Sequence, residues 1–295
     1  MYKYIPKIMP YLFIIPAFVV LLVFFFIPFL ETIKISLFSY ENSIYEPVFV
    51  GIDNYIQILK SKTFLSAISN TFYFLVLCVP TLVIFPLFLA ILINQKIKFT
   101  NLYKLIIYIP VVISIVVVAI AFKWIYGEFG LFNYILELLK FDKIGWLTDP
   151  KFAMISVSIV TIFKGVGYYM MIYLASLIGV PKELYEQAQI DGAGEFKKHM
   201  TVTIPHIMPT IALVATISSI SALKVFVEIY IMTKGGPLDS TKTIVYFIFE
   251  QAFEKLNLGI SSAGAVILLF IVLIFSAINI YCFERKKYNL WNPIL

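Results

Sequence analysis

The residues of this chain able to do chemistry are few and unevenly placed. Both histidines, His199 and His206, fall in one polar stretch, Pro181–Pro209, with Lys182, Glu183, Glu186, Asp191, Glu195, Lys197 and Lys198. No His-Glu-x-x-His is present, and structural or surface roles outweigh metal ligation for both rings. There is no Gly-x-x-x-x-Gly-Lys phosphate loop and no Gly-x-Ser-x-Gly elbow. Cys78 and Cys282 have no spacing for a disulfide or a metal. The reading assigns no catalytic residue, no metal and no cofactor, and the chain is not expected to be an enzyme. Three other charges, Lys164, Lys224 and Glu228, interrupt runs that are otherwise apolar. Charges at membrane depth are costly and face a cavity or a partner. Lys224 and Glu228, spaced i,i+4, also suit a pair that neutralises itself.

The elements that must position these groups are membrane helices. The 295 residues are 61% hydrophobic and 14% charged, with a mean hydropathy of +0.94, beyond the range of a water-soluble core. Six apolar spans are predicted, near 9–30, 65–94, 105–122, 152–180, 207–232 and 256–283. Prolines at 80, 86 and 110 lie inside them, which neighbouring helices make tolerable. The first run is too long for a cleaved signal and reads as a retained helix. Between spans, Tyr55, Ile56 and Leu59 suggest one face of a short helix, and Trp124 and Trp146 suit an interfacial belt.

Six spans place both termini on one side. That side holds Lys3, Lys7, Lys96, Lys98, Lys104, Lys182, Lys197, Lys198, Arg285, Lys286 and Lys287 in short segments. The opposite loops are longer, and acids such as Glu41, Glu46, Asp53, Glu128 and Asp149 offset their basic residues. The first side is therefore expected to be cytoplasmic. The net charge of +6 is a topology signal and requires no nucleic acid.

The polar stretch between the fourth and fifth spans has the marks of a folded unit. Pro181 suits the first helical position, and Glu183 and Glu186 suit the positive end of the helix dipole. Leu184, Tyr185 and Ala188 form one narrow apolar face, and Gly192 is a natural helix end. A second short helix from Glu195 towards Thr203 would follow, with Pro205 and Pro209 turning the chain back into the membrane. The blander alternative is a solvated loop, although loops of this length are uncommon unless functional.

Glu186-Gln187-Ala188, then Asp191-Gly192-Ala193, then Val202-Thr203-Ile204-Pro205, resembles the signature loop of binding-protein-dependent importer permeases of the ATP-binding-cassette type. Gln187 replaces the usual alanine. Phe49-Val50-Gly51-Ile52-Asp53-Asn54-Tyr55, Trp146-Leu147-Thr148-Asp149-Pro150 and Thr233-Lys234-Gly235-Gly236-Pro237 resemble further patterns of its carbohydrate-uptake branch, the maltose-type first permease in particular. Lys234 stands where glycine is usual. The resemblance implies an all-α membrane protein with six transmembrane helices and a cytoplasmic coupling helix. It implies residues 1–66 as first helix and extracellular loop, 67–284 as transmembrane core and 285–295 as a basic tail. It further implies coupling to an ATPase through the 181–205 loop, with Glu183, Glu186, Ala188, Asp191, Gly192 and Pro205 as the coupling residues. Expected partners are a second permease, two ATPase subunits, an extracellular solute-binding protein, a sugar and membrane lipid. Lys164, Tyr168, Tyr169, Lys224 and Glu228 are the candidates for the sugar path; packing is the competing role for the tyrosines. The rival class is a secondary transporter or channel acting without ATP, for which inverted repeats and aligned intramembrane acids are expected. A structural scaffold is a third class.

Overall fold

The computed structural model describes residues 9–40, 47–95 and 98–291, without the side chains of 10 and 282–291. Lys3, Lys7, Glu41, Glu46 and Lys96 from the charge census lie outside the described residues, as do the side chains of Cys282, Arg285, Lys286 and Lys287. Among the described residues five helical segments are long and apolar enough to cross a membrane: Tyr11–Ile35, Lys62–Asn94, Pro150–Ile178, Glu195–Met232 and Leu258–Tyr281. The bent pair Thr100–Val112 and Ile115–Ile125 makes a sixth when its halves are taken as one span.

The chain divides into two compact units. One comprises the N-terminal segment up to Ser61 together with Phe247–Leu269. Its first span is α1 (Met9–Leu21), a wide π turn (Leu22–Phe26) and α2 (Ile27–Ile35). None of its most apolar window is buried, as suits a helix whose every face meets lipid or a partner. A small ribbon follows, β1 (Phe38–Ser39) antiparallel to β2 (Val48–Phe49), with Phe38 opposite Phe49. Gly51 takes φ +57°, and α3 (Asp53–Lys60) begins two residues later. Asn54 is buried, and its amide donates to the carbonyls of Ser36 (2.8 Å) and Phe38 (2.9 Å). The Tyr55 hydroxyl meets Ser36 Oγ at 2.6 Å. The Phe49–Tyr55 pattern thus builds a clasp: glycine for the turn, asparagine for otherwise orphaned carbonyls. The buried face of α3 is Asn54 and Ile58, whereas Ile56 and Leu59 are exposed, which corrects the face read from periodicity.

The second unit comprises Lys62–Tyr246 and the segment from Phe270 on. Here α4 (Lys62–Asn94), α8 (Pro150–Ile178) and α11 (Ile204–Leu223) pack on one another around Phe74, Cys78, Met154, Val157, Met170, Tyr173 and Val214, each at most 1% exposed. Pro80 and Pro86 lie within an unbroken α4. The third span behaves differently. Its halves α5 (Thr100–Val112) and α6 (Ile115–Ile125) meet at 95°, and the break falls after Pro110. The fifth span is also broken, between Leu223 and α12 (Val227–Met232). Each break leaves carbonyls that lipid leaves unpaired, and in each a side chain from another segment answers. Lys164 Nζ donates to the Val111 carbonyl (3.0 Å) and Thr243 Oγ1 to the Val225 carbonyl (3.1 Å), while at the far end of α12 Lys123 Nζ donates to the Ile231 carbonyl (3.2 Å). A cation also complements the negative end of each helix dipole.

Beyond α6, α7 (Leu131–Leu138) presents Asn133 as a hub. Its amide donates to the Ile144 carbonyl at 3.1 Å, and its oxygen accepts from Ile144 N (3.0 Å) and Trp146 Nε1 (3.1 Å). Trp146 packs on Tyr126, Phe132 and Phe152, so it is a packed residue and not a belt residue; Trp124, 79% exposed, keeps the interfacial role open. Asp149 caps α8, accepting from Lys151 N at 2.8 Å, and Pro150 opens the helix. In place of a loop running to residue 255, α13 (Ile244–Phe249) and a π turn (Glu250–Glu254) precede the sixth span, α14 (Leu258–Trp291).

Close packing of α5 on α8 depends on Gly167. A Cβ there would collide with the Ile107 carbonyl oxygen and press on Val111. Gly167→Ala is expected to destabilise the detergent-solubilised protein by about 1–3 kcal/mol, as overpacking does. Its thermal midpoint, compared with that of Gly165→Ala, checks this, since at Gly165 the clash is with the flexible end of Leu82.

Candidate functional site

Lys164, Tyr168, Tyr169, Lys224 and Glu228, singled out from the sequence, line one cavity of about 540 Å³ in the second unit. Its wall comes from α4, α5, α6, α8 and the broken fifth span, and includes Thr161, Ser218 and Ser221. The two tyrosine rings meet edge to face, 5.2 Å between centroids; Tyr169 is 5% exposed and Tyr168 42%. Tyr169 thus packs, while Tyr168 offers an open face and a hydroxyl. Lys164 spends one N–H on Val111 and keeps two donors.

Lys224 and Glu228 do not form the self-neutralising pair. Lys224 caps the end of α11, Phe226 is extended away from helical geometry (φ −144°), and Glu228 opens α12. The break removes the i,i+4 register that would have brought them together. Glu228 Oε1 accepts instead from Thr161 Oγ1 at 3.1 Å. Among the described residues Lys224 has no hydrogen-bond or ion-pair partner, and it is exposed to the cavity. Thr161 was missed in the sequence. Its signal was there: with Lys164 and Tyr168 it stands at i, i+3, i+7, one face of α8.

The Pro181–Pro209 stretch folds as a helix–turn–helix. Pro181 is the cap, one position earlier than expected, and α9 runs Lys182–Ile190. Leu184, Tyr185 and Ala188 turn inward against the core. Glu183 lies in the first turn, where the dipole favours it; Glu186 lies a turn further on, exposed, beyond that field. Asp191 caps α9 and Gly192 takes φ +76° with nothing within 4 Å of a notional Cβ. Its glycine is a matter of backbone conformation alone. The chain then enters α10 (Glu195–Lys198) and passes through a π turn (His199–Thr203) directly into α11. Pro205 follows directly on the π turn, in the first turn of α11, and does not stop the helix. Lys198, through its hydrogen bond and then its charge, holds the Glu195 carboxyl below the usual carboxylate range. His199 bonds Thr203, and His206 is exposed. Among the described residues no group of three or more His, Cys, Asp or Glu is placed to hold a metal. Ile190 (85%) and Phe196 (74%) project apolar surface outward beside these charges.

The loop after α12 is pinned to α4. Asn70 donates to the carbonyls of Asp239 (2.7 Å) and Lys242 (3.0 Å), Thr71 Oγ1 accepts from Ile244 N (3.0 Å), and Thr241 bonds Thr233 (2.7 Å) and the Gly236 carbonyl (2.6 Å). Within it Lys234 takes φ +50° and Gly235 φ +78°. A left-handed lysine is strained, which accounts for glycine being usual there. Lys234→Gly is expected to stabilise the protein by about 1 kcal/mol, seen as a raised thermal midpoint in detergent.

A multi-pass membrane protein with a polar cavity between broken helices and a polar helix–turn–helix beside them is a solute permease in architecture. The chain belongs to the family described as "Binding-protein-dependent transport system inner membrane component", which matches residues 47–287. It is 36% identical over 95% of its length, and 98% of the other's, to the probable ABC transporter permease protein YurN of Bacillus subtilis. It is 34% identical to the arabinooligosaccharides transport system permease protein AraP of the same species, over 94% of this chain and 89% of that one. To the trehalose/maltose transport system permease protein MalF of Thermococcus litoralis it is 31% identical, over 94% of each. The same fold occurs in the crystal structure of a bacterial ABC transporter importing the acidic polysaccharide alginate: TM-score 0.83, 24% identity, 94% of this chain and 95% of that one.

Proposed function

We propose that this chain is one permease subunit of an ATP-driven importer and carries a mono- or oligosaccharide, or a glycerol-phosphate-like solute, across the cytoplasmic membrane by alternating access. The observation that carries the sugar reading is near full-length likeness to permeases named for arabinooligosaccharides and trehalose/maltose. The 67–284 core provides the path, and the cavity residues Lys164, Tyr168, Lys224 and Glu228 meet the solute, with Tyr169 supporting Tyr168. A second permease faces this one, two ATPase subunits bind below, and an extracellular solute-binding protein delivers the sugar. Glu183, Glu186, Ala188, Asp191, Gly192 and Pro205 shape or present the loop that the ATPase moves. A rigid helix transmits such a movement, where a floppy loop absorbs it. Both termini and the 285–295 tail lie in the cytoplasm, as the density of basic residues favours.

Two measurements test this. Cells carrying the chain with its neighbouring ATPase and binding-protein genes are offered labelled lactose, maltose and arabinooligosaccharides. Uptake of one of them that stops when ATP is depleted, with the ATPase co-purifying, is the expected result; uptake that survives depletion and follows an ion gradient overturns it. Orientation is read with an impermeant thiol reagent on whole cells. A cysteine at Leu238, 92% exposed, should label from outside and one at Ile190 should not; the reverse pattern inverts the topology.

A further inference from the structure

Seven threonines among the described residues, Thr32, Thr71, Thr81, Thr161, Thr201, Thr216 and Thr233, place their hydroxyl on the carbonyl four residues back. Thr203 does not. It closes the π turn between α10 and α11, where the Ile204 N–H bonds the His199 carbonyl, five residues back. Its Oγ1 instead meets the Tyr185 hydroxyl of α9 at 2.8 Å and His199 Nδ1 at 2.9 Å. Thr203 is fully buried, 0% exposed, so no water substitutes for either partner. The hydroxyl has one proton and two lone pairs, and a chain running in one direction, Tyr185 to Thr203 to His199 or the reverse, satisfies it both ways.

Resting on the reading of this loop as the ATPase-coupled element, we propose that Tyr185, Thr203 and His199 are a polar brace that locks the coupling helix to the transmembrane helix it must move. The reasoning is mechanical. Nothing lies within 4 Å of a Cβ built at Gly192, so no packing at that position holds the angle between α9 and α10. The apolar contacts of Leu184 and Ala188 are non-directional and permit sliding. The Tyr185–Thr203 bond is directional, buried, and joins residues 18 apart in sequence across the turn. It ties α9 to the first residues of the membrane span, so that displacement of α9 carries α11 with it. Tyr185 and Thr203 are therefore positioning residues: they touch neither solute nor nucleotide.

The test uses the complete importer, reconstituted in proteoliposomes with whichever of labelled lactose, maltose or arabinooligosaccharide the wild type imports. Thr203→Val keeps shape and loses the hydroxyl; Tyr185→Phe removes the other end; Thr203→Ser restores the bond. Loss of one buried hydrogen bond shifts the local equilibrium about 2–10-fold. Both variants are expected to bind and hydrolyse ATP at wild-type levels yet import about 2–10-fold less sugar per ATP, with amide exchange across 182–190 faster by a similar factor. The double variant should be no worse than Thr203→Val alone, and Thr203→Ser should approach wild type. Unchanged exchange in both single variants overturns the brace. Faster exchange with unchanged sugar per ATP overturns its positioning role while leaving the coupling reading of the loop in place. A wild-type chain that binds no ATPase brings down that reading itself, and the inference with it.

Discussion

Gly192→Val is expected to abolish ATP-driven uptake while leaving all six spans inserted. The residue's φ of +76° lies in the left-handed region, and a Cβ would meet nothing, so the whole penalty is conformational. That penalty is about 1–2 kcal/mol for an ordinary side chain and larger for a β-branched one. With nothing packed against this position, the turn yields to it by rotating, which changes the angle between α9 and α10. Graded substitutions isolate the cause. Asparagine populates the left-handed region and should retain most uptake, alanine should be intermediate, and valine should lose at least about tenfold. Uptake by cells and co-purification of the ATPase are the measurements; wild-type uptake with valine would reduce the segment to a solvated loop. Glu186→Lys should fail differently. Glu186 is exposed and outside the dipole's first turn, so reversing its charge leaves the helix intact and acts on whatever it faces. The expected result is loss of the bound ATPase with the loop still folded.

Neutralising the cavity charges is expected to cut uptake about tenfold for each residue, the scale of a lost hydrogen bond to a charged group. In Glu228→Gln the amide oxygen still accepts from Thr161, so folding is preserved and the loss falls on transport. Lys224→Met removes an ammonium without a protein partner among the described residues, so it too costs little stability. The double variant should lose the sum of the two to within about 0.5 kcal/mol, as for groups that do not depend on each other. A double variant healthier than either single would restore the ion pair that the helix break argues against. Thermal midpoints alongside uptake separate the two outcomes.

The membrane class, the spans and the basic asymmetry were legible without coordinates, because partition into lipid is a property of composition and needs no tertiary contact. So was the helix–turn–helix, since caps and left-handed glycines act through the local backbone: Pro181 and Gly192 needed only their neighbours in sequence. What failed were inferences that assumed a helix continues. The 95° bend after Val112 and the break at Lys224–Phe226 persist because a side chain on another segment, Lys164 or Thr243, satisfies a freed carbonyl. No local rule announces a donor that arrives from 53 residues away, as Lys164 does, or from 18, as Thr243 does. Those breaks separated Lys224 from Glu228, gave Glu228 to Thr161 and opened the cavity between them. Sequence thus determined which segments enter the membrane and which side chains are too polar to face lipid. Only the tertiary structure decided where the helices yield, because that depends on which distant side chain takes up each orphaned carbonyl.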